Sequence, residues 1–328
     1  MHAAIYRTFG AAADVLEIID LPIPVPGPGE VRVRLSASGV NPSDVKSRAG
    51  KGRPLSQPWQ IPGSDGAGFI DAIGDGVVTG RLGARVWTYN AAFHRANGTA
   101  AEFVVLPDTM APALSAALTF ERGACLGVPV MTAHRCVFAE GPVEGQTILV
   151  TGGAGVVGHY AIQLAKWGGA SVIATVSSPE KAAHARTAGA DHTVDYKTDD
   201  VVVAIKAITG GRGIDRIVDV DLEGNLPTSC KIIANGGTIV TYMSKPVPGQ
   251  MYPFMALASL NVSIRHVLVS AMDAAAKGAA IDAIEAWTAS GKAIFPIAAR
   301  FPLADIAKAH EVVEDGRKIG HVILTLPE

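Results

Sequence analysis

The sequence predicts an α/β protein: a β-rich region followed by a doubly wound parallel sheet with a second, smaller return to the first region. Three observations carry this. The early part of the chain reads as short strands between Gly/Pro punctuation, as in PVPGPGE, IPGSDGAG and IGDGV. From residue 121 onward, apolar runs of strand length alternate with helical patterns of about 10–15 residues, the rhythm of right-handed β-α-β crossovers. A glycine-spaced loop, Gly153-x-Gly155-x-x-Gly158, then falls between a predicted strand and a predicted helix.

The elements follow in order. Val31-Arg32-Val33-Arg34-Leu35 alternates apolar and charged residues, as a half-buried strand does, and Phe103-Val104-Val105 repeats the character. Thr147-Ile148-Leu149-Val150 is a short apolar run suited to a strand covered on both faces. In HYAIQLAKWGGA, Ala161, Ile162, Leu164 and Ala165 recur at helical spacing. Strands Ser171–Thr175, His192–Val194, Arg216–Asp219 and Gly237–Thr241 alternate with helices through SPEKAAHARTAGA and VVVAIKAITGG. A helix, AAAKGAAIDAIEAWTAS, then precedes a last strand, His321–Leu324. This divides the chain into a β-rich domain over 1–120, completed by 270–328, and a parallel-sheet domain over 121–269.

In that setting each glycine of the loop has a task. Gly153 permits the tight turn, Gly155 lets backbone approach a pyrophosphate, and Gly158 lets helix and strand pack closely. Gly153, Ala154, Gly155, Val156, Val157 and Gly158 thus predict a Rossmann-type dinucleotide site, with phosphates held by helix N-terminal N–H groups. An NAD site places an acid at the end of the next strand, roughly 20 residues on. Here stand Thr175-Val176-Ser177-Ser178-Pro179-Glu180-Lys181. Ser177 and Lys181 can donate to a 2′-phosphate, and Glu180 reads as a solvated first-turn residue. The expected cofactor is NADPH.

Composition narrows the rest. The 328 residues carry a net charge of −2 and are 48% hydrophobic, with no basic footprint for nucleic acid or anionic membrane. Three dispersed cysteines without a CxxC argue against a disulfide framework and a cysteine-based zinc site. The start, MHAAIYRTFGAAADV, does not read as a signal peptide, and no apolar run reaches about 18 residues. The expectation is a cytoplasmic protein with no nucleic-acid or membrane partner.

The whole chain resembles the zinc-independent quinone oxidoreductases, zeta-crystallin among them, of the medium-chain dehydrogenase/reductase superfamily. The matching stretches are SGVNPSDVKSRAG, PGSDGAG, GTAAEFVV, GACLGVPVMTAHR, VTGGAGVVGHYAIQLAKWGGA, KAAHARTAGADHTVDY and IGHVIL. The resemblance implies a GroES-like first domain, a Rossmann second domain and a homodimer. It also implies departures from the zinc branch. Where zinc relatives carry a ligand cysteine this chain has Asn41, and where they carry Gly-His-Glu it has Gly63-Ser64-Asp65. The structural-zinc lobe is absent, and none of the nine histidines falls in a ligand pattern. No metal is expected. An alcohol or simple ketone needs its oxygen stabilised during hydride transfer, which zinc does, whereas a quinone or enone spreads the charge itself.

The resemblance also assigns residues. Asn41 matches an asparagine near the nicotinamide ribose and substrate, with a turn residue before Pro42 as the alternative. Thr132 matches a threonine beside the nicotinamide, or is a helix threonine bonding a carbonyl. Tyr196 matches a group packing on the adenosine side, or is a surface tyrosine. Val220, after Asp219, and Thr241-Tyr242-Met243 end parallel strands, where doubly wound folds bind ligands. His266-Val267-Leu268 resembles the edge strand that contacts nicotinamide and pairs with a second subunit. Arg317 matches an arginine near the cofactor in some relatives, or is a solvated charge. Lys46 replaces a tyrosine, and with Arg48, Lys51 and Arg53 it is expected near the active-site mouth, drawing in anions or lying as a solvated basic loop. Related enoyl-thioester reductases carry a catalytic tyrosine where this chain has Gly52. The resulting expectation is an NADPH:quinone or enone reductase, with an enoyl-thioester or 2-alkenal reductase, or a non-catalytic NADPH-binding protein, as alternatives.

Overall fold

The computed structural model describes residues 1–55 and 57–327. The chain divides into two compact units, Met1–Val128 with Phe295–Glu328, and Pro129–Ile294.

In the first unit the long strand Glu30–Val40 is the spine. It pairs antiparallel with Asp65–Ile73, Phe103–Pro107 and His321–Thr325. Arg85–Thr88 extends the sheet beyond Asp65–Ile73, and Ile297–Pro302 lies parallel beside His321–Thr325. The alternation seen in the sequence has its physical cause here. Val31, Val33 and Leu35 are buried with Ile70, Val86, Val104, Val322 and Leu324, while Arg32 turns outward onto the Asp71 carboxylate at 2.9 and 3.0 Å. Each such buried side chain is worth roughly 1.5–3 kcal/mol over exposure. One element is absent from the strand reading: the helix Pro42–Arg48. Asn41 caps it by accepting from the Asp44 N–H, while the Asp44 carboxylate accepts from the Asn41 N–H at 2.9 Å. Asn-Pro-Ser-Asp spells that capping box, with proline at the first helical position.

The second unit is built on a six-stranded parallel sheet. Its order is Ser263–His266, Ile233–Thr241, Ile214–Asp219, Thr147–Val150, Ser171–Val176, His192–Asp195. Order reverses on either side of Thr147–Val150, which creates a crevice at the strand C-termini, where such folds bind ligands. All four residues of that central strand are buried, as its continuous apolar run requires. The helix Val156–Trp167 follows it, and Pro179–Thr187 follows the next strand.

The observed division differs from the sequence-based one at both boundaries: the second unit begins at Pro129 rather than 121, and it runs on past residue 269. The helix Ala274–Ala289 belongs to the second unit, and the return to the first comes at Phe295. Packing decides it. Ala280, Ile284 and Trp287 are buried, and the Trp287 ring meets Tyr160 of the glycine-loop helix edge-on at 6.0 Å. Among the described residues no helix is long and apolar enough to cross a membrane.

Candidate active site

The glycine loop has the form a dinucleotide needs. Gly152 takes φ +63, a left-handed turn, and its N–H donates to the Thr175 hydroxyl at 3.1 Å. A Cβ on Gly153 would stand 2.7 Å from Ala174 Cβ, and one on Gly158 would stand 2.5 Å from the Gly152 carbonyl. These two glycines let helix and strand close up. Gly155 is different: a Cβ there meets only the Gly152 oxygen at 3.3 Å. It caps the helix, so the first-turn N–H groups of Val156, Val157 and Gly158 have no carbonyl within the helix to bond. That open, positively polarised cradle suits a pyrophosphate.

At the end of the neighbouring strand the structure brings Ser177 and Lys181 together. Lys181 Nζ donates to Ser177 Oγ at 3.0 Å, while Ser178 caps the helix through the Lys181 N–H. Glu180 is exposed in the first helical turn. Tyr196 is exposed and its N–H donates to the Val176 carbonyl, which sets it beside this strand end.

The ends of the other strands form a tight polar lattice. Fully buried Asp219 accepts through Oδ1 from Thr151 Oγ1 at 3.0 Å, the Asp221 N–H at 2.8 Å and Asn225 Nδ2 at 2.7 Å. Val220 is held by its N–H on Thr151 Oγ1, and Thr241 Oγ1 donates to the Met243 carbonyl. Tyr242 follows Thr241, and burial raises its phenol pKa, with Cys136 and Asp219 adding to the effect. His266 closes the edge strand, and Val267 donates its N–H to the Thr241 carbonyl at 2.8 Å. Leu268 beyond it is exposed. Asp219 as the organiser of this lattice was not legible as a role, although its place at a strand end was.

In the first unit Asn41 is buried beside three other polar side chains, Asp44, Ser64 and Asp65. Its Nδ2 donates to Asp65 Oδ2 at 2.8 Å, and Asp65 Oδ1 accepts from the Val128 N–H at 2.8 Å. Ser64 stands close enough to the Asp44 carboxyl to favour its charged form. Burial is the main cause that lifts Asp44 to about 7 and Asp65 to about 8, and the nearby Asp44 carboxyl adds to the rise at Asp65. Zinc takes thiolate, imidazole or carboxylate donors in a tetrahedron. Asn41 and Ser64 offer an amide and a hydroxyl, and both Asp65 oxygens are already in use. These residues do not fit a zinc ion. Among the described residues no three His, Cys, Asp or Glu side chains gather as a metal site.

The basic stretch after Asn41 is only partly exposed. Arg48 is fully buried, pairs with Glu314 at 2.7 Å and donates to the Gly10 carbonyl. Arg53 stacks on Phe93 at 4.6 Å and bonds His94. Arg48 is therefore a core tie, and the expectation that it draws in anions is corrected: its charge is spent on Glu314. Lys46 lies half-buried in the last turn of the same helix. Lys51 and Gly52 follow that helix. Arg317 is exposed and pairs with its neighbour Asp315 at 2.6 Å. Thr132 is buried in the first turn of the helix Met131–Phe138.

Comparison with known proteins agrees with this geometry. Residues 27–116 match the alcohol dehydrogenase GroES-like domain, and residues 156–286 match the zinc-binding dehydrogenase domain. The quinone oxidoreductase of Rattus norvegicus is 30% identical over 293 residues, covering 88% of this chain and 87% of the relative. The chain belongs to the zeta-crystallin-like quinone oxidoreductase family of the medium-chain dehydrogenase/reductase superfamily. Among solved structures, an NAD-dependent alcohol dehydrogenase has a TM-score of 0.90 at 31% identity over all of both chains. A mycobacterial structure complexed with NADPH has a TM-score of 0.86 at 29% identity, covering 99% of this chain and 100% of that one. As a member of this family the protein is an oxidoreductase with a nicotinamide-nucleotide site, built on a GroES-like unit and a Rossmann unit.

Proposed function

We propose that this family member is an NADPH-dependent, metal-free reductase that transfers hydride to a quinone or a similar conjugated carbonyl. The observation that carries the acceptor class is the Asn41–Asp65–Ser64–Asp44 cluster, in which Asn41 bonds both Asp65 and Asp44 and whose donor set does not fit a zinc ion. With no Lewis acid at these positions, the acceptor must delocalise the charge that hydride transfer creates. Quinones and enones do so. The Asn41 amide, oriented by Asp65, is read as the group that polarises the acceptor's oxygen. For the cofactor, Ser177 and Lys181 stand together where an NAD site would carry an acid, so the end of that strand favours a 2′-phosphate.

Thr132 is read as a contact to the nicotinamide, with Thr241, Tyr242, Met243, His266, Val267 and Leu268 forming the wall behind it. Val220 and Tyr196 are read as ribose and adenosine contacts. The exposed edge Ser263–His266 is read as the pairing edge of a homodimer.

The test is the initial rate of NADPH oxidation with an ortho-quinone in buffer containing a chelator, beside NADH and enoyl-thioester reactions. Fast, chelator-insensitive, NADPH-selective turnover is expected with the quinone. A preference for the enoyl thioester would move the substrate class, and binding of NADPH without turnover on any acceptor would remove catalysis from the reading.

A further inference from the structure

Lys181 can grip a 2′-phosphate only if the helix that carries it is held at one rotation beside the glycine loop. That helix, Pro179–Thr187, has few side chains suited to the task. Its apolar residues are one proline and three alanines, of which Ala182 and Ala185 are buried. An alanine methyl buries little area, so such contacts grip weakly. The two ends are tied: Ser178 Oγ accepts from the Lys181 N–H at 3.3 Å, and Arg186 donates to Thr193 Oγ1 at 2.5 Å.

Between those ends the helix meets the glycine-loop helix through His184. Its ring stacks on that of His159, with centroids 4.3 Å apart and planes inclined by 23°. His159 directly follows Gly158 at the start of the helix Val156–Trp167 and is fully buried. Tyr160 lies edge-on to the same ring at 5.9 Å, so His159 is itself set in packed surroundings. His184 comes three residues after Lys181, and residues at that spacing share one helix face. Fixing the His184 ring against His159 therefore fixes the rotation of the face that carries Lys181. Every residue of this arrangement belongs to the second unit.

The contact is one of ring faces rather than of hydrogen bonds. Neither nitrogen of His159, nor Nε2 of His184, has a hydrogen-bond partner among the described residues. Burial holds both imidazoles below their usual pKa, so at neutral pH two uncharged rings meet and no repulsion opposes them. Such ring pairs keep a preferred offset and tilt, which alanine methyls do not impose.

Resting on the NADPH reading above, we propose that His184 and His159 are positioning residues for cofactor choice: their stack holds Lys181 beside Ser177, so that the two together can take a 2′-phosphate. Lys181 Nζ stands 3.0 Å from Ser177 Oγ, and that spacing is what the stack preserves. NADH carries only a hydroxyl at the same ribose position, so the stack bears on one nucleotide and not on the other. Both histidines act through Lys181, whose charge makes the contact.

The experiment measures Kd for NADPH and for NADH by fluorescence titration at neutral pH. It compares wild type, His184→Ala, His184→Phe, Lys181→Ala and the double variant Lys181→Ala/His184→Ala, each checked for folding by circular dichroism. His184→Gln, which has no ring, is carried beside alanine so that a loss of folding in one leaves the other. Both are expected to weaken NADPH by about three- to tenfold, the upper limit being the loss of the Lys181 contact itself, with NADH held within about twofold. His184→Phe keeps a ring and forfeits no hydrogen bond from Nε2, so the NADPH preference is expected to persist. The double variant is expected to bind NADPH no more weakly than Lys181→Ala, because residues that act through one contact are not additive. Unchanged NADPH affinity in the ringless variants, equal losses for both nucleotides, additive losses in the double variant, or a phenylalanine variant that behaves like alanine would each overturn the positioning role alone. A wild type that binds NADH as tightly as NADPH overturns the cofactor reading and this role with it.

Discussion

Asn41 Nδ2 lies 2.8 Å from Asp65 Oδ2, and the other oxygen of that carboxyl takes the Val128 N–H at the same distance. One buried acid therefore orients the candidate catalytic amide and also ties down the turn Leu126–Val130, which leads into the helix of Thr132. Asp65→Ala leaves two buried N–H groups without an acceptor. It is expected to destabilise the protein by about 2–4 kcal/mol, read from urea unfolding. An effect below about 1 kcal/mol would show that the cluster is not a structural tie.

Gly155 and Gly158 separate binding from folding. A valine at Gly155 projects into the open cradle, where its Cβ meets only one oxygen at 3.3 Å. NADPH affinity is expected to fall at least about 100-fold, with stability changed by about 1 kcal/mol or less. Alanine at Gly158 meets the Gly152 carbonyl at 2.5 Å and is expected to lower the melting temperature as well as affinity. Calorimetric titration and thermal unfolding of the two variants check the contrast.

Lys181 decides cofactor choice in this reading. Lys181→Ala is expected to weaken NADPH by about tenfold, the loss of one charge-assisted contact to the 2′-phosphate, while leaving NADH affinity alone. Equal losses for both nucleotides would assign Lys181 to general support of the strand end.

The two units carry opposite pH dependences. In the first, Asp44 and Asp65 are raised by burial to about 7 and about 8, so the folded state holds protons that the unfolded chain has already released. That stability is complete below the ordinary carboxylate range and is lost as pH rises to 8, although His310 titrates in the other sense. In the second unit burial lowers His134 to about 4 and His159 to about 3, and it also lowers His184, which stacks on His159 at 4.3 Å. These imidazoles are neutral when folded and protonate on unfolding below about 6.5, so stability there is lost as pH falls. Hydrogen exchange at pH 5 and pH 8 is expected to show strand Glu30–Val40 better protected at the lower pH and helix Val156–Trp167 better protected at the higher. The same trend in both would contradict the assignment.

Asn41→Ala tests the amide directly. It is expected to lower kcat by at least about tenfold while NADPH affinity stays within about twofold, since its proposed contact is made to the oxygen that gains charge. A loss confined to nucleotide affinity would move Asn41 out of the reaction.

Local physics made much of this legible in the chain itself. Alternation at Val31-Arg32-Val33-Arg34-Leu35 and the apolar run Thr147–Val150 state which faces are buried, and strands obey that spacing directly. The glycine loop is equally local, because a tight turn, an open cap and a close helix–strand contact each demand a missing side chain at a set position. The pairing of Ser177 with Lys181 follows from a serine at a strand end and a lysine in the first turn of the next helix.

What only the tertiary structure decided depends on residues far apart in the chain. Asp65 meets Val128 across 63 positions, and Arg48 finds Glu314 from the other end of the same unit. No periodicity encodes such meetings, so a basic stretch that reads as solvated turned out to hold a core ion pair. The helix Ala274–Ala289 is assigned to its unit by Trp287 against Tyr160. The carboxyls of Asp44 and Asp65 take their proton-holding character from burial beneath strands that arrive from both ends of the chain. Spacing along a chain sets local conformation and the loop that cradles a phosphate, but desolvation and long-range partners exist only once the sheets have closed.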